Sequence, residues 1–97
     1  MDQDDTLLRA RARAFIQTGK LPRSRPERTW GGRGSSASCT LCGSSVSRDE
    51  LEVEIERPFD GEGAAGGNYH FHLRCFAAWE HECRDLELES SSLVAAN

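Results

Sequence analysis

A small α+β fold is what this sequence predicts, on three observations. Branched apolar residues alternate with glutamates over residues 50–56, and a helical apolar stripe runs from His72 to about Leu88. Two short Cys/His groups flank the alternating segment. The chain has 97 residues, which allow one compact domain, and only 37% of them are apolar. A core that small generally needs a staple, either disulfides or a structural metal. Four Cys and three His offer material for both.

The N-terminal segment, residues 1–19, reads as a helix. Asp4, Asp5 and Thr6 can cap it, Leu7–Thr18 continues it, and Gly19 stops it at the C′ position. Leu8, Ala12, Phe15 and Ile16 share one face, with Arg9 and Arg13 on the other. Leu7, Leu8, Phe15 and Ile16 are expected to be exposed and able to pair with another copy or with the folded unit that follows. Residues 20–37 are rich in Pro, Arg, Gly and Ser and read as a basic linker or extended arm. Trp30 is out of keeping with that composition and is expected to dock back onto the folded part.

Residues 38–89 read as the folded unit. Cys39-Thr-Leu-Cys42-Gly43 makes a tight turn. Leu51, Val53 and Ile55 then alternate with Glu50, Glu52, Glu54 and Glu56, a strand with one buried and one solvated face. Pro58 ends it, and a Gly/Ala loop over 60–67 leads to a second strand with Tyr69 and Phe71. Phe76, Trp79, Cys83 and Leu86 form one helical stripe. Residues 90–97, rich in Ser and Ala, read as a frayed tail.

The Cys/His groups read C-x2-C-x29-H-x2-C, through Cys39, Cys42, His72 and Cys75. Two Cys separated by two residues and followed by Gly let one turn aim both sulfurs at a point. His72 and Cys75, three apart at a helix start, project from one side of its first turn. Three thiolates and an imidazole suit Zn2+ in a closed structural site that leaves no position for substrate. Cys83 lies about 12 Å further along a helix than Cys75, out of reach of the same ion, and reads as a buried thiol. His70 is the rival to His72, two residues away on the strand, and His81 is expected on the exposed side of the helix.

At these residues the chain resembles treble-clef zinc fingers, with a knuckle, a β-hairpin and a helix that gives the last two ligands. The ligand spacing over about residues 38–88, with Phe76 and Trp79 following, is similar to the fingers of poly(ADP-ribose) polymerases, which recognise DNA breaks. The whole chain, through Lys20-Leu-Pro and Arg28-Thr-Trp-Gly-Gly, also resembles small uncharacterised bacterial zinc-finger-like proteins. The resemblance implies a treble-clef-like zinc finger preceded by an N-terminal helix and a basic linker.

Charge bears on partners. The net charge is −4, but residues 1–38 carry eight basic and four acidic groups, whereas residues 39–97 carry four and twelve. The glutamate face argues against phosphate contact by the finger and favours a regulatory or adaptor role through protein contacts. The alternative is nucleic-acid binding by the basic arm. Arg23, Arg25, Arg28 and Arg33, with Arg9, Arg11, Arg13 and Lys20, would meet phosphates and Trp30 would stack on a base. Against it stands the reading that the arm folds back on its own acidic groups. No enzyme is expected. Gly61-Glu-Gly-Ala-Ala-Gly66 matches GxGxxG but leads into a strand, so no helix N-terminus follows to hold a phosphate. The acidic start lacks a secretory pattern and no apolar run reaches membrane length, so a cytoplasmic protein without a membrane partner is expected.

Overall fold

The computed structural model describes residues 2–24, 28–56 and 68–95. The elements are α1 (Asp2–Gln17), β1 (Thr29–Arg33), β2 (Leu51–Ile55), β3 (Tyr69–His72) and α2 (Leu73–Ala95). The strands form one antiparallel sheet in the order β1-β2-β3. The architecture is therefore small α+β: two helices and a three-stranded sheet. By contact it divides into two compact units, one of Met1–Arg25 with Ala77–Asn97 and the other of Pro26–Phe76.

The first unit is built on α1 and the greater part of α2. Leu8, Ala12 and Ile16 recur at helical spacing and are buried, as are Leu21, Ala78, Trp79 and Cys83. Leu8 and Ile16 are thus buried core residues of this unit rather than exposed ones, while Leu7 is exposed. Gly19, at φ 85°, ends α1 in a Schellman arrangement: Lys20 N donates to Phe15 O at 2.8 Å and Gly19 N to Ile16 O at 3.2 Å. Pro22 then turns its carbonyl toward the helix, where it accepts from Trp79 Nε1 at 3.0 Å. Glu82 is the one buried charge of this unit among the described residues, and Arg9 Nε and Arg13 Nε each donate to it at 3.0 Å.

The second unit holds the sheet. Its apolar core contains Leu41, Val46, Val53, Ile55, Phe71 and Phe76, with the Phe71 and Phe76 rings edge to face at 6.0 Å. Three sequence expectations change here. The stretch expected to be a linker contains β1, which pairs along β2 from Thr29↔Ile55 to Arg33↔Leu51. Trp30 is accordingly fixed through its backbone while the residue stays 45% exposed. The glutamate face of β2 is not simply solvated. Residues 34–38 and 44–47 form a small hairpin through Ser36 N to Val46 O, Val46 N to Ala37 O and the Ser38↔Ser45 bridge, and Ser35 from it caps Glu52. Glu52 is therefore buried, whereas Leu51, at the end of β2, is 60% exposed.

Other boundaries shift. α1 begins at Asp2 rather than at a cap near Thr6, and α2 runs to Ala95, past the point where a frayed tail was expected. Pro58 and the glycine-rich 61–66 stretch lie outside the described residues.

Candidate metal centre

Local chain chemistry aims the first two sulfurs. Gly43 adopts φ 85°, a left-handed conformation that glycine takes without strain, and closes the turn through Gly43 N to Cys39 O at 2.9 Å. Cys39 N donates to Ser44 O at 2.8 Å, and Cys42 N points at Cys39 Sγ at 3.5 Å. The turn is fastened to the sheet at its second residue: Thr40 N donates to His70 O at 2.7 Å and Thr40 Oγ1 accepts from His70 N at 3.3 Å.

The other two ligand atoms come from the junction of strand and helix. His72 is the last residue of β3, not a residue of the helix start, and Cys75 lies in the first turn of α2. Among the described residues, the ligand atoms of Cys39, Cys42, His72 and Cys75 lie within 4.8 Å of one another. Cys39 and Cys75 are buried, and all four cysteines are free thiols.

The imidazole has a defined orientation. Nε2 lies 3.1 Å from Ser45 O, with Glu50 Oε1 at 3.5 Å, so this nitrogen carries the proton and donates to the carbonyl. Nδ1 is left to face the sulfurs, 3.4 Å from Cys42 Sγ and 3.8 Å from Cys75 Sγ. For Zn–S bonds of about 2.3 Å and Zn–N of about 2.0–2.1 Å at the tetrahedral angle, neighbouring sulfur and nitrogen ligands stand about 3.6 Å apart. The two distances straddle that value, so the residues present fit a tetrahedral ion. Hydrogen bonding of the non-ligating nitrogen is also how metal-bound histidines are generally held.

The thiols interact strongly. A hydrogen bond from Cys75 lowers the pKa of Cys39, with burial opposing and the Cys42 N–H assisting. Cys75, which supplies that hydrogen bond, is pushed up. Packed sulfurs resist holding several negative charges together, and a divalent cation removes that resistance. Cys83 stands apart. It is buried, and burial foremost pushes its thiol up to about 11.

His70, the rival ligand, turns elsewhere. Its Nδ1 meets Glu52 Oε2 at 2.5 Å, while Glu52 Oε1 accepts from Ser35 N at 2.7 Å and Ser35 Oγ at 2.8 Å. Burial opposes ionisation of Glu52, but the bonds from His70 and Ser35 outweigh it and hold the carboxyl below its usual range. Glu54 joins this polar cluster by proximity, its Oε2 accepting from Asn68 Nδ2 at 2.7 Å. His81 is partly exposed beside Asp85, at 3.5 Å. The spacing of Cys and His gave no hint of Ser45, because its contribution is a main-chain carbonyl.

The nucleic-acid candidates are divided between the two units. Arg28, Trp30 and Arg33 lie on or beside β1, Arg23 belongs to the other unit, and Arg25 is outside the described residues. Arg9 and Arg13 are engaged by acidic groups of their own unit, including Glu82, Asp85 and Glu89. Arg11 and Lys20 stand over the Phe15 ring at 5.2 and 5.1 Å.

Fold and centre together define a small α+β protein with a three-cysteine, one-histidine cluster able to bind a metal. Among the described residues no helix is long and apolar enough to cross a membrane. Comparison with protein-family models, with curated proteins and with solved structures gives no match.

Proposed function

We propose that this chain is a structural zinc module of treble-clef type that acts in the cytoplasm as a regulatory or adaptor protein, without catalysis of its own. Cys39, Cys42, His72 and Cys75 hold the Zn2+, and the ion ties the turn, the β2–β3 hairpin and the start of α2 together. The observation that carries this reading is the convergence of four soft and borderline donors from three chain segments. Their spacing suits a tetrahedral ion, and four protein ligands fill its positions, which favours a scaffold over a reaction centre.

Engagement of Arg9 and Arg13 by acidic groups of this chain favours a protein partner over nucleic acid. Those two guanidiniums are no longer free to release counterions from a phosphate backbone. Elemental analysis of purified protein tests the metal reading. One zinc per chain, lost on Cys42→Ser, is expected, and the absence of stoichiometric zinc rejects it. Labelled DNA and RNA titrated at low salt test the alternative, for which tight, salt-sensitive binding is the supporting result.

A further inference from the structure

The open edge of β1 is the surface that the zinc module leaves unused. The bonds Glu56 N to Arg28 O and Gly34 N to Glu50 O fix the parity of the β1–β2 ladder. Residues 28, 30, 32 and 34 turn their main-chain groups toward β2, so Thr29, Gly31 and Arg33 turn theirs outward. Among the described residues no further main-chain bond is made to those outward groups. Trp30, Gly31, Gly32 and Arg33 are all exposed, and among the described residues nothing lies within 4 Å of where a Cβ would stand at Gly31 or Gly32. β1 carries no lysine, proline or bulge to discourage pairing, the devices by which exposed edges are usually blocked. The opposite edge, β3, is already fastened to the Cys39–Cys42 turn through Thr40.

We propose that β1 pairs antiparallel with β1 of a second copy of this chain, about a two-fold axis at Gly31, joining two three-stranded sheets into one of six strands. The outward parity admits this register: Gly31 meets Gly31 and Thr29 meets Arg33, each residue with its main-chain groups directed at the partner strand. Residues directly opposite share a sheet face, so Trp30 of one copy lies against Gly32 of the other. The large ring fills the space that the missing side chain leaves, and symmetry makes the fit occur twice. Charge complements this register. Arg28, 72% exposed and only 4.0 Å from Glu56 at its nearest, comes opposite the second copy's Gly34. The Ser47 carbonyl sits over Gly34, and the Glu50 carboxylate, 49% exposed, accepts from Ser47 N, so the arginine arrives at a cluster of acceptors. No pair of like charges is brought face to face.

This inference rests on the sheet and stands whether or not zinc is the resident ion. Sedimentation equilibrium of the 97-residue, metal-loaded chain tests it, with metal content and far-UV dichroism recorded on every sample. The wild type is expected to rise from the mass of one chain toward that of two as concentration increases. Gly31→Pro removes the central outward N–H, and Gly32→Lys puts a side chain where Trp30 of the other copy must lie. Each is expected to stay monomeric with metal content and dichroism unchanged. Gly32→Lys keeps every main-chain group, so its result stands even if proline disturbs the strand. A wild type monomeric at all concentrations overturns the proposal. So does a dimer that survives Gly32→Lys, which would place the contact on another surface.

Discussion

His72 Nε2 lies 3.1 Å from the carbonyl oxygen of Ser45, and that contact, with Glu50 Oε1 at 3.5 Å, leaves Nδ1 facing the sulfurs of Cys42 and Cys75. The tautomer of the ring is thus set by the backbone just past the turn that carries two of the cysteines. In the zinc-loaded protein, long-range nitrogen–proton NMR spectra are expected to show His72 protonated at Nε2 and coordinated at Nδ1. A ring protonated at Nδ1 would contradict the geometry.

Removing the proposed zinc tests how far the second unit depends on it. Structural zinc in small fingers contributes about 10–16 kcal/mol of apparent binding free energy near neutral pH, which is folding free energy when the site forms only in the folded chain. A strong chelator, or Cys42→Ser, is expected to abolish hydrogen-exchange protection in β1, β2 and β3. Full protection in metal-free protein would show that the apolar core of Pro26–Phe76 suffices alone.

Glu82 and Glu89 both contact Arg13, but their side chains are 6% and 55% exposed. Removing the buried partner leaves Arg9 and Arg13 without their Nε acceptors, so Glu82→Ala should cost roughly 1–2 kcal/mol, the low side reflecting the solvent around both arginines. Glu89→Ala should cost less. Thermal melts of the two variants supply the comparison, and equal effects would refute the ranking.

The same carboxylate predicts an acid response. Burial opposes ionisation of Glu82, but the hydrogen bonds from Arg13 and Arg9 win and hold its pKa below the usual carboxylate range. A carboxyl depressed in the folded state contributes stability above its unfolded pKa, about 4.3 for glutamate, and loses it as pH falls through the lower folded value. The stability difference between wild type and Glu82→Gln should therefore be full at neutral pH and shrink on acidification below about pH 4. A difference that holds constant down to pH 2 would rule this out.

Gly34 and Gly31 make a contrast within one segment of chain. A Cβ on Gly34 would stand 1.8 Å from Ser47 O, a main-chain atom that cannot rotate away, whereas one on Gly31 meets open space. Gly34→Ala is expected to cost about 3 kcal/mol or more, and Gly31→Ala to be near neutral in the single chain. Urea titrations of both measure the gap.

The cluster was legible in the sequence because its information is local. Two pairs of ligands, each with two residues between them, needed only a turn and a strand–helix junction to present them. The apolar alternation of β2 and the stripe of α2 were readable for the same reason. β1 was not, because Thr29-Trp-Gly-Gly-Arg33 contains two glycines and one large apolar residue, and its pairing with β2 is settled by residues well beyond any local window, from Arg33↔Leu51 to Thr29↔Ile55. Its Thr and Trp, both favoured in strands, were the available signal. Glu52 was misjudged because alternation states which residues share a face but not what covers that face. Here Ser35 covers it, at a distance in sequence that no period reports.

β2 and β3 are joined through residues 56–68, and both ends of that connection are pinned by ladder pairing at Ile55↔Tyr69. Lengthening a tethered loop is cheap, about 0.6 kcal/mol for each doubling. The Ile55↔Tyr69 pair therefore fixes the two ends between which any inserted sequence must close, and all four ligands lie outside that span.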